Sequence, residues 1–506
     1  MSRQSFRVKC PAPFSGIPFA ALSRILRPSS TSQPEGAYCV IRRELVLHYA
    51  AMILRAQYVL PITAPLIRDG AIRVVGQTIT DVGPAADLVA RYPHEAVSDF
   101  GKAALLPGFI DAHTNLEHSV IRASELDVPF AQWTKTMIRN SAKLNAADWY
   151  SSAVLGGLEA LSFGITCVAN TSATGAAVGV MRDLGLRGIV YREVVASQRG
   201  EVDAAMERAE NDVLSWMCEV DNERVQVGVM PGSLYSCHPA ILTKVAELAT
   251  RENLQLALHV AGSKEEFNFI RYGSSAFKIH DGENPIETRT ALPWMPSGTS
   301  PVRYAVNWGA FDAPNVVAVH CVHINDEDVR FLKTYDVAVC VCSRTNAQLG
   351  MGVAPILGLR RAGLRIGFGS DSLAATDSID MFTQMRTGML IQRAVDADAG
   401  AFLNSTQALE MATIGAARAL RLDAQVGSLE AGKVADVIAV DVSRLHLGAD
   451  ADPVPGLVNT CAGTDVLMTM VGGKRIYEKD NWNVDIPLAR NLSRVYEARR
   501  KLRENA

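Results

Sequence analysis

Eight short apolar runs recur between residues 103 and 372, at 103–113, 164–170, 185–195, 225–233, 254–262, 316–324, 336–343 and 364–372. Between them lie segments with apolar residues three and four positions apart, as at 146–161, 202–217, 239–250, 326–334 and 354–362. Strand-like runs alternating with amphipathic helical patterns are βα repeats. Eight such units over residues 107–419 predict an α/β fold, a (β/α)8 TIM barrel with insertions. A doubly wound open sheet is the alternative, but no glycine-rich phosphate turn follows a strand.

The flanks have a different texture. Short alternating runs fill 51–106, among them AIRVV at 71–75, and small β segments return over 420–480, with a hairpin pattern at 466–477. Residues 1–50 carry seven Lys/Arg against two Glu, with proline and serine clusters. They read as a disordered extension, or as upstream sequence taken in by a start-codon choice before Met52; a transit peptide is the other reading. Residues 481–506 form a charged C-terminal segment, expected as a helix with a solvated face lying outside the fold.

The chain has a net charge of -3, so neither nucleic acid nor an anionic membrane is an expected partner. The most apolar early stretch, 45–67, is broken by His48, Arg55 and two prolines, which argues against a spanning helix. Nine scattered cysteines, with no Cys-x-x-Cys pair, fit reduced thiols in a cytoplasmic protein. Cys340 and Cys342, two apart in one run, leave a soft-metal site open. A homo-oligomer is compatible with all of this.

In a TIM barrel the reactive side chains sit at the C-terminal ends of the strands. Strand 1 of this chain ends in Asp111-Ala-His113-Thr-Asn115, strand 5 at His259, strand 6 at His320-Cys-Val-His323, and strand 8 at Asp371-Ser372. Three of only ten histidines at strand ends, matched by an aspartate, point to one divalent metal ion: Zn first, with Fe or Mn as alternatives. Such an ion acidifies a water molecule towards neutrality. His323 is read as a supporting residue, and the other six histidines, His118 included, receive no role.

The stretch LPGFIDAHTNLE at 106–117 resembles the opening strand of the amidohydrolase superfamily. The resemblance continues through AVHCVHI at 318–324, CSRTNAQLG at 342–350, GSDSLA at 369–374 and GSLEAGKVAD at 427–436. Within the superfamily it looks like the atrazine chlorohydrolase and aminohydrolase branch, which includes cytosine, S-adenosylhomocysteine and aminodeoxyfutalosine deaminases. It implies a small composite β-sandwich built from the segments before and after the barrel. It also implies His113 and His259 as metal ligands, Asp371 as ligand and general base, and His320 as the group that polarises the reacting centre.

Three positions depart from the family pattern. Asn115 stands where a second strand-1 histidine is usual and offers a neutral carbonyl oxygen as metal ligand. Gly262 replaces the glutamate that shuttles a proton to the leaving group, and Pro231-Gly232 replaces Pro-His. Glu117, Glu265, Glu266 and Asp377 are the carboxylates that could take over the proton transfer. The resulting expectation is a metal-dependent hydrolase of carbon–nitrogen bonds other than peptide bonds, deaminating a small amino-substituted heterocycle or nucleoside. Non-hydrolytic or metal-free chemistry, or a decayed binding barrel, are the alternatives. Glu117, Arg122, Trp133, Asn346 and Ser372 are the expected substrate contacts. Residues 263–310 read as a lid or a plain surface loop.

Overall fold

The protein is described by a computed structural model covering residues 51–122, 127–274, 296–396, 402–443 and 452–504. The expectations for 1–50, and for residues 275–295 of the 263–310 insert, lie outside the described residues.

Eight parallel strands follow one another in sheet order: Phe109–Asn115, Ile165–Ser172, Arg187–Val194, Val225–Pro231, Gln255–Val260, Val316–His320, Ala338–Val341 and Ile366–Phe368. We call them strands 1 to 8 of the barrel. Strand 8 is broken: after Gly369-Ser370 it resumes as Asp371–Ser372, which pairs with strand 1 through Asp371↔Thr114 and Ser372↔Asn115. Its first half pairs with strand 7, so the interruption closes the ring. A Cβ at Gly369 would lie 2.5 Å from Cys340 Sγ and 2.8 Å from the His113 carbonyl oxygen, so only glycine lets the strands meet there. Asp111 fixes the closure. Its carboxylate accepts from Ser370 N at 2.9 Å and from Ser370 Oγ at 2.5 Å.

Alternation decides what each strand buries. On strand 5, Leu256, Leu258 and Val260 pack outward with helix residues such as Ile241 and Val245. Ala257 joins an inner cluster with Tyr191, Cys167 and Cys340, and His259 follows on that same inner side. The helices start and stop where the sequence chemistry directs. Asn145 and Asn325 cap Ala146–Ser162 and Asp326–Thr334 with reciprocal bonds to Asp148 and Asp328. Pro239–Glu252 ends on Asn253 in the left-handed region.

The remaining strands form one nine-stranded sheet drawn from both flanks of the barrel. Ala103–Pro107 joins them, running parallel to Tyr58–Val59 on one side and antiparallel to Val437–Asp441 on the other. The run 103–113, expected as one strand, is therefore two. The chain leaves the sheet at Pro107 and enters the barrel at Phe109, and at Gly108 between them a Cβ would lie 2.2 Å from Thr166, so the crossing takes only glycine. A buried ion pair, Arg187 Nε to Asp436 Oδ2 at 2.8 Å, ties the base of strand 3 to this sheet.

The C-terminal segment corrects the reading that placed it outside the fold. Leu488–Glu504 is a helix that buries Val495, Ala498 and Leu502 against Val120, Ile121, Met137 and Trp149. Its charges include partners for Asp148, whose carboxylate meets Lys501 Nζ at 2.7 Å and Arg494 Nε at 3.5 Å. No helix among the described residues is long and apolar enough to cross a membrane.

Candidate active site

Strands 1, 5 and 8 bring three donors together at the barrel mouth. His113 Nε2 lies 3.0 Å from His259 Nε2 and 3.4 Å from Asp371 Oδ1. One ligand atom from each of the three residues falls within 4.8 Å of the other two. Four-coordinate bonds of about 2.0–2.1 Å place neighbouring donors about 3.3 Å apart, so these separations fit a divalent cation. The protonation states agree. Burial, then His113 and His320, hold the His259 imidazole well below its usual range and therefore neutral. Burial alone would push the Asp371 carboxyl up, but the hydrogen bond with His113 and the neighbouring imidazoles outweigh it and hold it well below the carboxylate range. Asn115 Oδ1, two residues beyond His113, is buried with no hydrogen-bond partner, an acceptor oxygen left over beside the donor set.

Two of these residues reach the site through unusual backbone. His320 has φ 77° and Asp371 φ 59°, in the left-handed region that side chains other than glycine seldom occupy. Val317 and Val319 face inward on strand 6, so His320 would face outward by alternation. The positive φ breaks that alternation, and its Nε2 comes to 4.0 Å from Asp371 Oδ2. His320 Nδ1 is held by Asn346 Oδ1 at 2.9 Å.

The turn that supports His320 is clamped by Glu266. Its two carboxylate oxygens accept from Ala261 N and Gly262 N, each at 2.9 Å. Ala261, at φ 54°, in turn accepts from Val322 N and His323 N, both at 2.9 Å. Burial pushes the Glu266 carboxyl up to about 7.

The expected substrate contacts are distributed less simply. Trp133 is stacked with Phe130 at 6.3 Å, and its Nε1 reaches Ala374 O at 3.4 Å. Ser372 Oγ meets His118 Nδ1 at 2.8 Å, a partner that strand-end reasoning leaves without a role. Burial keeps His118 neutral, lowered to about 4. Glu117 is buried, and its carboxylate accepts from Ser172 Oγ and from Ala177 N, the latter at 3.2 Å. Arg122 is paired with Glu159. These two side chains are therefore spent on protein partners. Asp377 pairs with Arg344, and His323 Nε2 turns to Met351 O at 2.7 Å. Cys340 and Cys342 point into the inner apolar cluster as free thiols; among the described residues they join no metal-ligand group.

Residues 104–476 match the amidohydrolase family. This chain belongs to that family. A 5-methylthioadenosine/S-adenosylhomocysteine deaminase of Pelotomaculum thermopropionicum is 31% identical over 435 residues, covering 85% of this chain and 94% of the relative. Among solved structures, a zinc-bound adenosine deaminase from Xanthomonas campestris has a TM-score of 0.75 at 24% identity, covering 90% of this chain and 98% of that one. A zinc complex of atrazine chlorohydrolase from Arthrobacter aurescens has a TM-score of 0.75 at 21% identity, over 88% and 100%. These two establish the shared barrel fold. As an amidohydrolase the chain is a hydrolase acting on carbon–nitrogen bonds other than peptide bonds.

Proposed function

We propose that this amidohydrolase deaminates an amino-substituted heterocycle or nucleoside, using one zinc ion held by His113, His259 and Asp371 with Asn115 as a weaker oxygen ligand. The convergence of two imidazoles and an ionised carboxylate within 4.8 Å carries the reading. The deaminase name of the relative that is 31% identical supports the substrate class.

When bound, the cation supplies acidification of a water molecule towards neutrality. Asp371, held ionised, is the group able to take the proton as water attacks the carbon bearing the amine. His320 presents Nε2 to the reacting centre, because Asn346 binds its other nitrogen and fixes the ring orientation. Trp133 and Phe130 offer flat apolar area beside the pocket. Ser372, next to Asp371, and Asn346, bonded to His320, remain proposed substrate contacts, while Glu117 and Arg122, engaged by Ser172 and Glu159, do not.

Ammonia release from aminopurines, aminopyrimidines and their nucleosides, with Zn, Fe or Mn loaded in turn, tests the proposal. Release from at least one of them, abolished by Asp371→Ala, is expected. Failure to bind metal under every loading condition, together with no effect of Asp371→Ala, sinks it. A Cβ at Gly262 would lie 3.1 Å from both His320 Cδ2 and Met351 Cε, crowding the place of the family's glutamate, which favours a second reading, altered chemistry on the same scaffold.

Three further readings belong to the same proposal. The small sheet encloses its own apolar core of residues such as Leu54, Ile72, Val437 and Met468, which supports a composite β-sandwich. The boundaries are 51–106, 107–419, 420–480 and 481–506. The free thiols of the described cysteines support a cytoplasmic location.

A further inference from the structure

On strand 3, Ile189 and Tyr191 belong to the inner cluster of the barrel, while Val190 and Val194 pack outward. Alternation therefore turns Glu193 inward at the C-terminal end of the strand, above Tyr191. Its partner on strand 4, Met230, is also an inner residue. The side chains in electrostatic reach of the Glu193 carboxylate include Arg192, His113 and Glu117. Yet Arg192 is pinned outward by Asp212 at 2.7 Å and meets only the main-chain oxygen of Glu193. Among the described residues the Glu193 carboxylate has no hydrogen-bond donor. Burial disfavours its charge, and a half-buried carboxylate without protein donors is left free to meet a donor or a cation on a ligand.

The other arginines near the strand ends are committed as well. Arg122 is paired with Glu159, and Arg344 is held by Asp377 and by Ser378 O at 2.8 Å. The Tyr235 phenol lies in the field of Glu266, Asp371 and Glu193. The mouth facing the candidate metal site thus presents the Glu193 carboxylate, while Arg192, Arg122 and Arg344 are already paired with protein groups.

We infer that this pocket takes substrates that are neutral or cationic away from the reacting carbon and rejects anionic ones, with Glu193 as the residue that sets the choice. An unpaired charge in a partly dry mouth acts strongly on a ligand charge several ångströms away. The inference rests on the deaminase reading for its ligand series, but charge selection is read from binding and deamination from ammonia.

The experiment uses the full chain loaded with zinc and three adenosine derivatives that share the purine: 5′-methylthio (neutral), 5′-amino (cationic) and 5′-carboxylate (anionic). Calorimetric Kd values are expected to be at least fivefold lower for the neutral and cationic compounds than for the anionic one. Glu193→Gln should reduce the cationic-to-anionic preference at least threefold at unchanged zinc content, and Glu193→Asp should restore it. A wild-type difference below fivefold overturns the inference, as does a preference unmoved in Glu193→Gln. The wild-type series decides the matter even if the glutamine variant fails to fold. Binding selectivity without ammonia release leaves the inference standing and overturns the deaminase reading. Ammonia release from all three compounds with equal affinity does the reverse, and no binding by any of them overturns both.

Discussion

His259 Nε2 stands 3.0 Å from His113 Nε2 although 146 residues separate them in the chain. Two imidazoles this close must share a proton or direct both lone pairs at one electrophile. The carboxylate of Asp371, 3.4 Å from His113, favours the second arrangement. Zinc is therefore expected to bind at about one equivalent, measured by elemental analysis after dialysis. His259→Ala and Asp371→Ala should each lose most of it and lower turnover ~10³-fold. Because protons compete for imidazole and His259 is held well below its usual range, wild-type zinc should be retained through the ordinary imidazole range near 6.5 and be lost only at clearly lower pH.

Asn346 sets the tautomer of His320. With Oδ1 accepting at 2.9 Å, the ring carries its proton on Nδ1 and leaves the Nε2 lone pair towards Asp371. Burial depresses the His320 pKa, keeping the ring neutral. Asn346→Asp would place a carboxylate on Nδ1 and raise that pKa. The acid limb of the kcat/KM profile is then expected to move to higher pH by about one unit, with little change in zinc content. An unmoved limb would separate His320 from the chemistry.

The missing family glutamate is not replaceable by simple restoration. A Cβ at Gly262 would meet His320 Cδ2 and Met351 Cε, each at 3.1 Å, before the rest of a glutamate is added. Gly262→Glu is expected to lower kcat at least about tenfold by moving His320, a displacement of 1 Å sufficing for larger losses. Gly262→Glu combined with Met351→Ala should recover part of it. Steady-state kinetics of the single and double variants make the comparison.

Periodicity exposed the barrel because each strand has to bury two faces, and Leu256, Leu258 and Val260 alternate with Ala257 and His259 for that reason. The strand-end donors were legible on the same grounds. His320 was legible as a strand-end residue, but not the positive φ that turns it inward. The pairing of His118 with Ser372 joins strand 1 to strand 8 and leaves no local pattern. The C-terminal helix was misread because its charges outnumber its apolar residues, although Val495, Ala498 and Leu502 keep the spacing of three and four. Glu193 needed the end of strand 3 to be known to a single residue, since a shift of one would have turned it outward.

Glu266 links the site to stability. Its carboxyl is raised by burial from 4.5 to about 7. A group raised in the folded state binds more protons there than in the unfolded chain, so its contribution is full below about 4.5 and is lost as pH rises through about 7. Denaturant titrations are expected to show stability declining over that window, with up to ~3 kcal/mol attributable to this residue. Glu266→Gln should remove that slope. It should also cost ~1–3 kcal/mol at low pH, because an amide N–H would then face the N–H of Ala261 or Gly262.

The C-terminal helix gives the last prediction, because what it covers lies next to the chemistry. Val495, Ala498 and Leu502 rest on Val120, Ile121 and Trp149. The His118 ring lies 6.1 Å from the Trp149 ring and bonds Ser372, the neighbour of Asp371. Ala498→Asp would bury an unpaired carboxylate at a position with no exposed surface, costing ~2–4 kcal/mol. Hydrogen exchange should then quicken in Leu488–Glu504 and Leu116–Ile121 together while the strands stay protected. Turnover should fall with them, because the support of His118 is removed. Lys501→Ala leaves Arg494 to pair Asp148 and should cost only about 1 kcal/mol, with activity retained. Full activity in Ala498→Asp alongside accelerated exchange would show that the helix stabilises the barrel without positioning its mouth.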